Sequence, residues 1–179
     1  MSRGKSGPDQ IVGAALGLFA ERGVHATSLQ MIADRLGVTK AAVYYHFKSK
    51  QEIVAAALQP AMDGLRELVA AAKQQGDPAE RLQTVVRGLA RDAIKFRTVY
   101  SVVLRDIAAI EAVSSADESM KELHSLLLAG REDALSHVRV AMFLAGLVAP
   151  AIDEHVQQLT DAEIEAAILR GGMELGDSL

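Results

Sequence analysis

The sequence predicts an all-α protein, with a three-helix N-terminal head carrying a helix-turn-helix and a C-terminal helical-bundle body of about six helices. Three observations predict it. Half of the 179 residues are hydrophobic but only 4% are aromatic. Aliphatic side chains must therefore fill the core, whereas β-structure ordinarily brings more alternating Thr, Tyr, Phe and Ile. Apolar residues recur at helical spacing along almost the whole chain, and no segment reads as a convincing strand. Glycine, proline or capping residues stand between these stretches. A chain of this length and composition buries a sizeable core without disulfide staples.

Each element follows in order. Ile11, Ala15, Leu18 and Phe19 form one apolar stripe, closed by Gly23, which suits a left-handed cap. Thr27 is expected to open a second helix with Gln30 as its capping-box partner. The core face of that helix is Leu29, Ile32, Ala33 and Leu36, and Gly37 stops it. Thr39 caps a third helix of about two turns, ending at Tyr45 or His46. Ser49 and Glu52 make another capping box, so a fourth helix starts near Lys50 and runs towards Gln75, kinked at Pro60. Gly76, Asp77 and Pro78 break the pattern, with Asp77 as cap and Pro78 at the first helical position of a fifth helix through Leu82, Val85, Val86 and Leu89. A sixth is expected from Thr98 to Val113, and the polar loop SSADES (114–119) precedes a seventh through Met120, Leu123, Leu127 and Leu128. An eighth begins near Arg131 and is disturbed at Pro150; Thr160 and Glu163 open the last through Ile164, Ala167, Ile168 and Leu175. These elements divide into a helix-turn-helix domain at 1–50 and a helical body at 51–179.

Composition removes several function classes. There is no cysteine, which excludes disulfides, thiolate metal sites and thiol nucleophiles. His25, His46, His124, His137 and His155 show no H-E-x-x-H or similar ligand spacing, and neither a glycine-rich phosphate loop nor a G-x-S-x-G elbow occurs. No catalytic, metal or cofactor site is therefore expected, and the chain does not read as an enzyme. The opening residues MSRGKSGPDQ contain no apolar signal region. The thirteen-residue apolar run Val140–Ile152 is too short for a bilayer and reads as a buried helix. A soluble cytoplasmic protein with no membrane contact is the expectation.

The net charge of −4 hides an asymmetry: residues 1–50 hold seven Lys/Arg against three Asp/Glu, and residues 51–179 hold twelve against twenty. A basic head on an acidic body is the pattern of a chain whose first part alone meets a polyanion.

The third helix says how. Two short helices joined by Leu36, Gly37 and Val38 make a helix-turn-helix pattern. Val43 and Phe47, four apart, share a face that packs on the first two helices, which leaves Thr39, Lys40, Tyr44 and Tyr45 pointing away from the core. A helix in a major groove meets base edges with its N-terminal residues and phosphates with its flanks. Thr39, Lys40 and Ala41 are thus placed for bases, Ala41 through a thymine methyl, and Tyr44, Tyr45, His46 and Lys50 for phosphates. Double-stranded DNA is the expected partner.

The order of these features resembles the tetracycline-repressor (TetR) family of bacterial transcription regulators over about residues 9–55. The matching residues are Ala15, Leu18, Phe19 and Gly23, then Thr27, the core Ile32–Val38, and TKAAVYYHFKSK at 39–50. The resemblance implies a homodimer that binds a palindromic operator, usually a repressor, whose body takes a small-molecule effector and dimerises through its last two helices as a four-helix bundle. By position, family DNA contacts fall on Thr27, Thr39, Lys40, Ala41, Tyr44, Tyr45, His46 and Lys50. Ala41 departs from the glycine common at that position, which allows closer backbone approach in relatives.

In the body, Phe96, Tyr100, Leu104, Ile107, Met120, Leu123, His124 and Leu127 lie on largely apolar faces, with Met142 and Phe143 able to close the same space. These are the candidate pocket residues for a mostly apolar effector, with Tyr100 and His124 as polar anchors. Ala141, Ala145 and Ala149 recur every four residues, and Ile164, Ile168 and Leu175 offer an opposing row, which suits an isologous dimer interface. Two other readings stand beside this one: a DNA-binding regulator with no small-molecule ligand, and a helical enzyme carrying a helix-turn-helix head.

Overall fold

The computed structural model describes residues 7–103 and 118–175, and all their regular structure is helical. The helices are α1 (Pro8–Arg22), α2 (Leu29–Leu36), α3 (Lys40–His46), α4 (Lys50–Lys73), α5 (Pro78–Lys95), α6 (Arg97–Val103), α7 (Glu118–Leu128), α8 (Ala134–Gly146), α9 (Ala149–Ile152) and α10 (Asp161–Met173), with one 3₁₀ turn at Val156–Gln158. They form two compact units. The first holds residues up to Pro60 together with the segment from Thr98; the second holds Ala61–Arg97 and the chain from Ala116 onward. The first unit thus extends past residue 50, and α4 passes from one unit into the other at Pro60.

The first unit is built on the stripe read from the sequence. Ile11, Ala15, Leu18 and Phe19 are all buried, and they meet Ile32 and Ala33 of α2, Val43 and Phe47 at α3, and Ile53, Val54, Ala57 and Leu58 of α4. Gly23 ends α1 with φ +83° and ψ 159°, a positive-φ extended conformation rather than the αL cap expected. The cap of α2 is Ser28, whose hydroxyl accepts from the Met31 N–H at 3.2 Å, and not Thr27. Gln30 closes no capping box; its amide donates to Asp34 at 2.7 Å. Gly37 takes αL geometry (φ +66°, ψ 27°), and the Val38 N–H returns to the Ala33 carbonyl at 3.0 Å. That closes α2 and redirects the chain into α3.

In the second unit, Leu65, Val69 and Ala72 of α4 pack with Leu82, Val85, Val86 and Leu89 of α5, Leu123 and Leu127 of α7, and Val140 of α8. Helix α10 lies against α5 and approaches closely at Gly172, where any Cβ would stand 2.5 Å from Val86 Cγ1 and 2.8 Å from Phe143 Cζ. Thr160 and Glu163 form the reciprocal capping box that opens α10. Helix α8 starts at Ala134 with Asp133 as its cap, not near Arg131, because Ala129 (φ 50°) and Gly130 (φ 84°) turn the chain first. Pro150 interrupts nothing by itself; it sits in the first turn of α9, after a turn at Leu147–Val148.

Candidate nucleic-acid interface

Helix α3 is held by its two buried residues, Val43 and Phe47, and by Thr39, whose hydroxyl accepts from the Ala42 N–H at 3.2 Å. With that face fixed, Thr39, Lys40, Ala41, Tyr44, Tyr45 and His46 are all exposed. Tyr44 is 50% and Tyr45 77% accessible. An exposure of that size for large aromatic rings leaves much apolar surface in water, with the phenol oxygens free to face a polar partner.

The ring positions are organised. His46 meets Tyr45 edge-on, with centroids 5.1 Å apart. Lys48 lies over the Tyr44 ring at 4.7 Å and donates to the Tyr44 and Tyr45 carbonyls at 2.6 and 3.3 Å. Its ammonium thereby satisfies carbonyls left open at the C-terminus of α3. Lys48 is absent from the candidates drawn from the sequence, although its position three and four residues past the tyrosines is the signal for this role. The Lys48 N–H in turn donates to the Glu52 carboxylate at 2.7 Å, so Glu52 reaches one residue beyond the box partner expected for it.

Two of the eight sequence candidates stand differently. Thr27 is only 2% exposed, and its hydroxyl donates to the Gly23 carbonyl at 2.9 Å and the Leu18 carbonyl at 3.4 Å. Its N–H is bound to the Val24 carbonyl as well. Thr27 braces the turn between α1 and α2 and presents no group outward, which corrects its placement among the DNA contacts. Lys50 is half-buried and donates to the Val24 and His25 carbonyls at 2.5 and 3.0 Å. It fastens the same turn to α4, leaving one ammonium hydrogen outside these two bonds.

The body candidates scatter. Leu123 and Leu127 are fully enclosed in the core of the second unit, and Phe96 is buried as well. Met120 and Met142 face outward, Met142 at 70% exposure, so neither lines an internal space; the expectation that they do is corrected. Tyr100 is half-buried in the first unit, His124 pairs with His137, and Leu104 and Ile107 lie outside the described residues. An apolar cavity lies elsewhere, between α8, α9, the 3₁₀ turn and α10. It is an open groove of about 270 Å³ lined by Phe143, Leu147, Pro150, Val156, Leu159, Ile164 and Ile168, so Phe143 alone of the pocket candidates lines it.

The candidate interface residues fall into two groups. Ile164 and Leu175 are buried within the chain and Ile168 packs on the same core, because α10 turns them inward. Ala141 and Ala145 are exposed, and beside them stand Leu135, Val138 and Met142. Residues 134–152 are apolar enough by length and composition to cross a membrane, yet only 17% of that stretch is buried. The run read as one buried helix is thus mixed and broken at Leu147–Val148: Val140, Leu147, Pro150 and Ala151 are buried, whereas Ala141, Met142, Ala145, Gly146 and Ile152 are exposed.

A capped helix-turn-helix whose second helix presents polar and aromatic side chains defines a DNA-binding transcription regulator. Comparison with known proteins gives the family. Residues 11–57 match the model of bacterial regulatory proteins of the tetR family. The HTH-type transcriptional activator FasR of Mycolicibacterium smegmatis is 33% identical over 152 residues, which cover 80% of this chain and 68% of FasR. The HTH-type transcriptional repressor KstR2 of Mycobacterium tuberculosis is 33% identical over 103 residues, 55% of this chain and half of that protein. The crystal structure of PfmR, a TetR family regulator from Thermus thermophilus, superposes with a TM-score of 0.73 at 25% identity, covering 92% of this chain and 97% of PfmR. The chain belongs to the TetR family and is a DNA-binding transcriptional regulator.

Proposed function

We propose that the protein is a cytoplasmic repressor that binds a palindromic operator as a homodimer and is released by a small, mostly apolar effector. The observation that carries the DNA half is the exposed face of α3, with Thr39, Lys40 and Ala41 at its start and Tyr44 and Tyr45 at its end. One such face makes too few contacts for tight specific binding, so two copies read two half-sites about one helical turn apart, or a small multiple of it. The second copy docks on the exposed face of α8, where Val138, Ala141, Met142 and Ala145 offer an apolar stripe at helical spacing. Such a covered stripe is incompatible with a membrane span.

The effector is proposed to bind in the second unit, between α5 and α8, and to act through α4, the helix whose chain continues from the first unit into the second. It must bind the DNA-incompetent arrangement better, since equal affinity for both shifts nothing. A hundredfold loss of operator affinity requires about 2.7 kcal/mol of differential binding, within the usual range of allosteric coupling. Selection of bound sequences from random DNA, and then a screen for compounds that release them, tests the reading. A two-fold symmetric selected site and at least one releasing compound are expected, and operator DNA should weaken that compound's binding by the same factor. A monomer selecting a non-repeated site would overturn the dimeric reading. Binding that no compound releases favours a regulator without effector, for which the tight packing around Leu123 and Leu127 speaks. A reporter placed under the selected operator gives the sign: repression expected, activation the contrary outcome.

A further inference from the structure

We propose that His124 and His137 form a zinc-binding pair that ties α7 to α8. His124 Nε2 and His137 Nδ1 face each other at 3.3 Å, with ring centroids 5.5 Å apart and planes 21° from parallel. Centroids that far apart, with nitrogens this close, place the rings nitrogen to nitrogen in a shared N–H···N bond rather than face on face. The spacing is also what a tetrahedral metal requires. With Zn–N bonds of about 2.0–2.1 Å, two ligand nitrogens of a tetrahedron stand about 3.3–3.4 Å apart. Neutral imidazoles are good ligands for zinc, and carboxylate-preferring cations gain little from such a pair.

Binding asks for small changes only. The proton now shared between the rings moves to the outer nitrogen of the donor ring, which frees both facing nitrogens. Each ring then turns about its terminal torsion, a broad and soft one, to aim its lone pair at a common point. His137 is exposed and His124 half-buried, so the site opens to solvent and water completes the coordination. The nearby carboxylates are engaged elsewhere: Glu122 with Lys73, and Asp133 with the Ser136 N–H and hydroxyl. Among the described residues no group of three or more His, Asp and Glu comes together to hold a metal. The pair is therefore a two-histidine site, of moderate affinity. The two histidines stand thirteen positions apart in the sequence, outside the short spacings by which metal sites are read from sequence.

The test is calorimetric titration of the chelator-treated full chain with zinc chloride, in the absence of DNA and effector, so that its result is independent of the proposed regulation. One zinc per chain is expected, with at least a tenfold loss of affinity in both His124→Ala and His137→Ala and none in His155→Ala. Cobalt substitution supplies the signature that a merely structural histidine would not give: an intense visible band of tetrahedral Co²⁺ in the native chain, absent in both variants even if their helix content is unchanged. No zinc uptake, uptake unaffected by either substitution, or a cobalt spectrum that is octahedral would each overturn the proposal.

Discussion

The head and the body treat exposed side chains in opposite ways. In the head, the exposed aromatic and cationic groups sit on one short helix, each ordered by a neighbour: Tyr45 by His46, Tyr44 by Lys48, and the helix itself by Thr39. In the body, the exposed side chains of α8 are aliphatic or thioether groups, Leu135, Val138 and Met142, and α10 leaves a depression beside them. The first surface suits a charged, hydrogen-bonding partner and the second an apolar one. Function is local in the head, where a site depends on a single turn and its caps. In the body it depends on which distant helix arrives to cover a face.

The sharpest way to break this comparison is to unfold one region and watch the other. Phe19 is fully buried at the centre of the head. Phe19→Ala should remove about 3–5 kcal/mol from its stability, through lost burial and the cavity left behind. DNA binding should vanish while circular dichroism retains the helix signal of the second unit. A single cooperative loss of all helix signal in urea would show that the two units do not stand apart energetically.

The same contrast explains what could be read from the sequence. The caps, the Gly37 turn and the Val43–Phe47 anchor are all set by residues within four or five positions of each other, so helical spacing and capping chemistry reveal them. Thr27 misleads because a threonine just before a helix has two fates, capping or tucking under the preceding turn. Ser28 stands one residue nearer the helix and takes the cap. In the body, Ile164 and Leu175 are recognisable as apolar, but their direction is decided by α5, some eighty residues earlier in the chain. Gly172 supplies the close approach that turns α10 inward, a contact no local pattern announces. Likewise, Met142 reads as a core residue by hydropathy, and only the fold, which leaves it exposed, puts it on the surface.

A second test sets glycines against each other. Gly172→Ala drives a Cβ into Val86, a rigid and fully buried side chain, and should destabilise the body by about 1–3 kcal/mol. Gly13 lies in the middle of α1 with nothing within 4 Å of a built Cβ, so Gly13→Ala should instead stabilise the head by up to about 1 kcal/mol. Urea midpoints of the two variants should move in opposite directions; movement in the same direction would undo the packing assigned to α10.

Smaller again are the caps. Thr160→Ala should cost the body about 1 kcal/mol by leaving the Glu163 N–H without its hydroxyl acceptor. Thr39→Ala should cost the head a similar amount, since the Ala42 N–H loses its partner. The two differ in their effect on recognition: only the Thr39 variant should alter the DNA sequence selected. Thr39→Ser, which keeps the hydroxyl, should restore the stability, and any base preference it fails to restore belongs to the lost methyl. Equal effects of Thr160→Ala and Thr39→Ala on the selected sequence would remove Thr39 from the base-reading set.

The finest distinction is the response of the body to acid, where three carboxyls act with two signs. Asp133 accepts from the Ser136 hydroxyl and N–H, and Glu163 from the Thr160 N–H and hydroxyl; these bonds favour the ionised form and hold both carboxyls below their ordinary range. A carboxyl lowered on folding contributes stability that is present above its unfolded value, about 4, and is lost as pH falls through the folded one. Asp92 behaves the other way. Burial raises it, against the pull of Lys95 and Arg91, so its contribution is complete at low pH and lost as pH rises through the raised value. At pH 7, then, Glu163→Gln and Asp133→Asn should lower the melting temperature slightly and Asp92→Asn should raise it slightly. At pH 3 the Asp133 and Glu163 differences should shrink, because the contribution of a lowered carboxyl is lost as pH falls from the ordinary carboxylate range towards its folded value, and the Asp92 difference should shrink because its raised carboxyl is protonated there. Melting curves at the two pH values decide it: a deficit in Glu163→Gln that stays constant between them would mean the cap acts through shape alone and not through its charge.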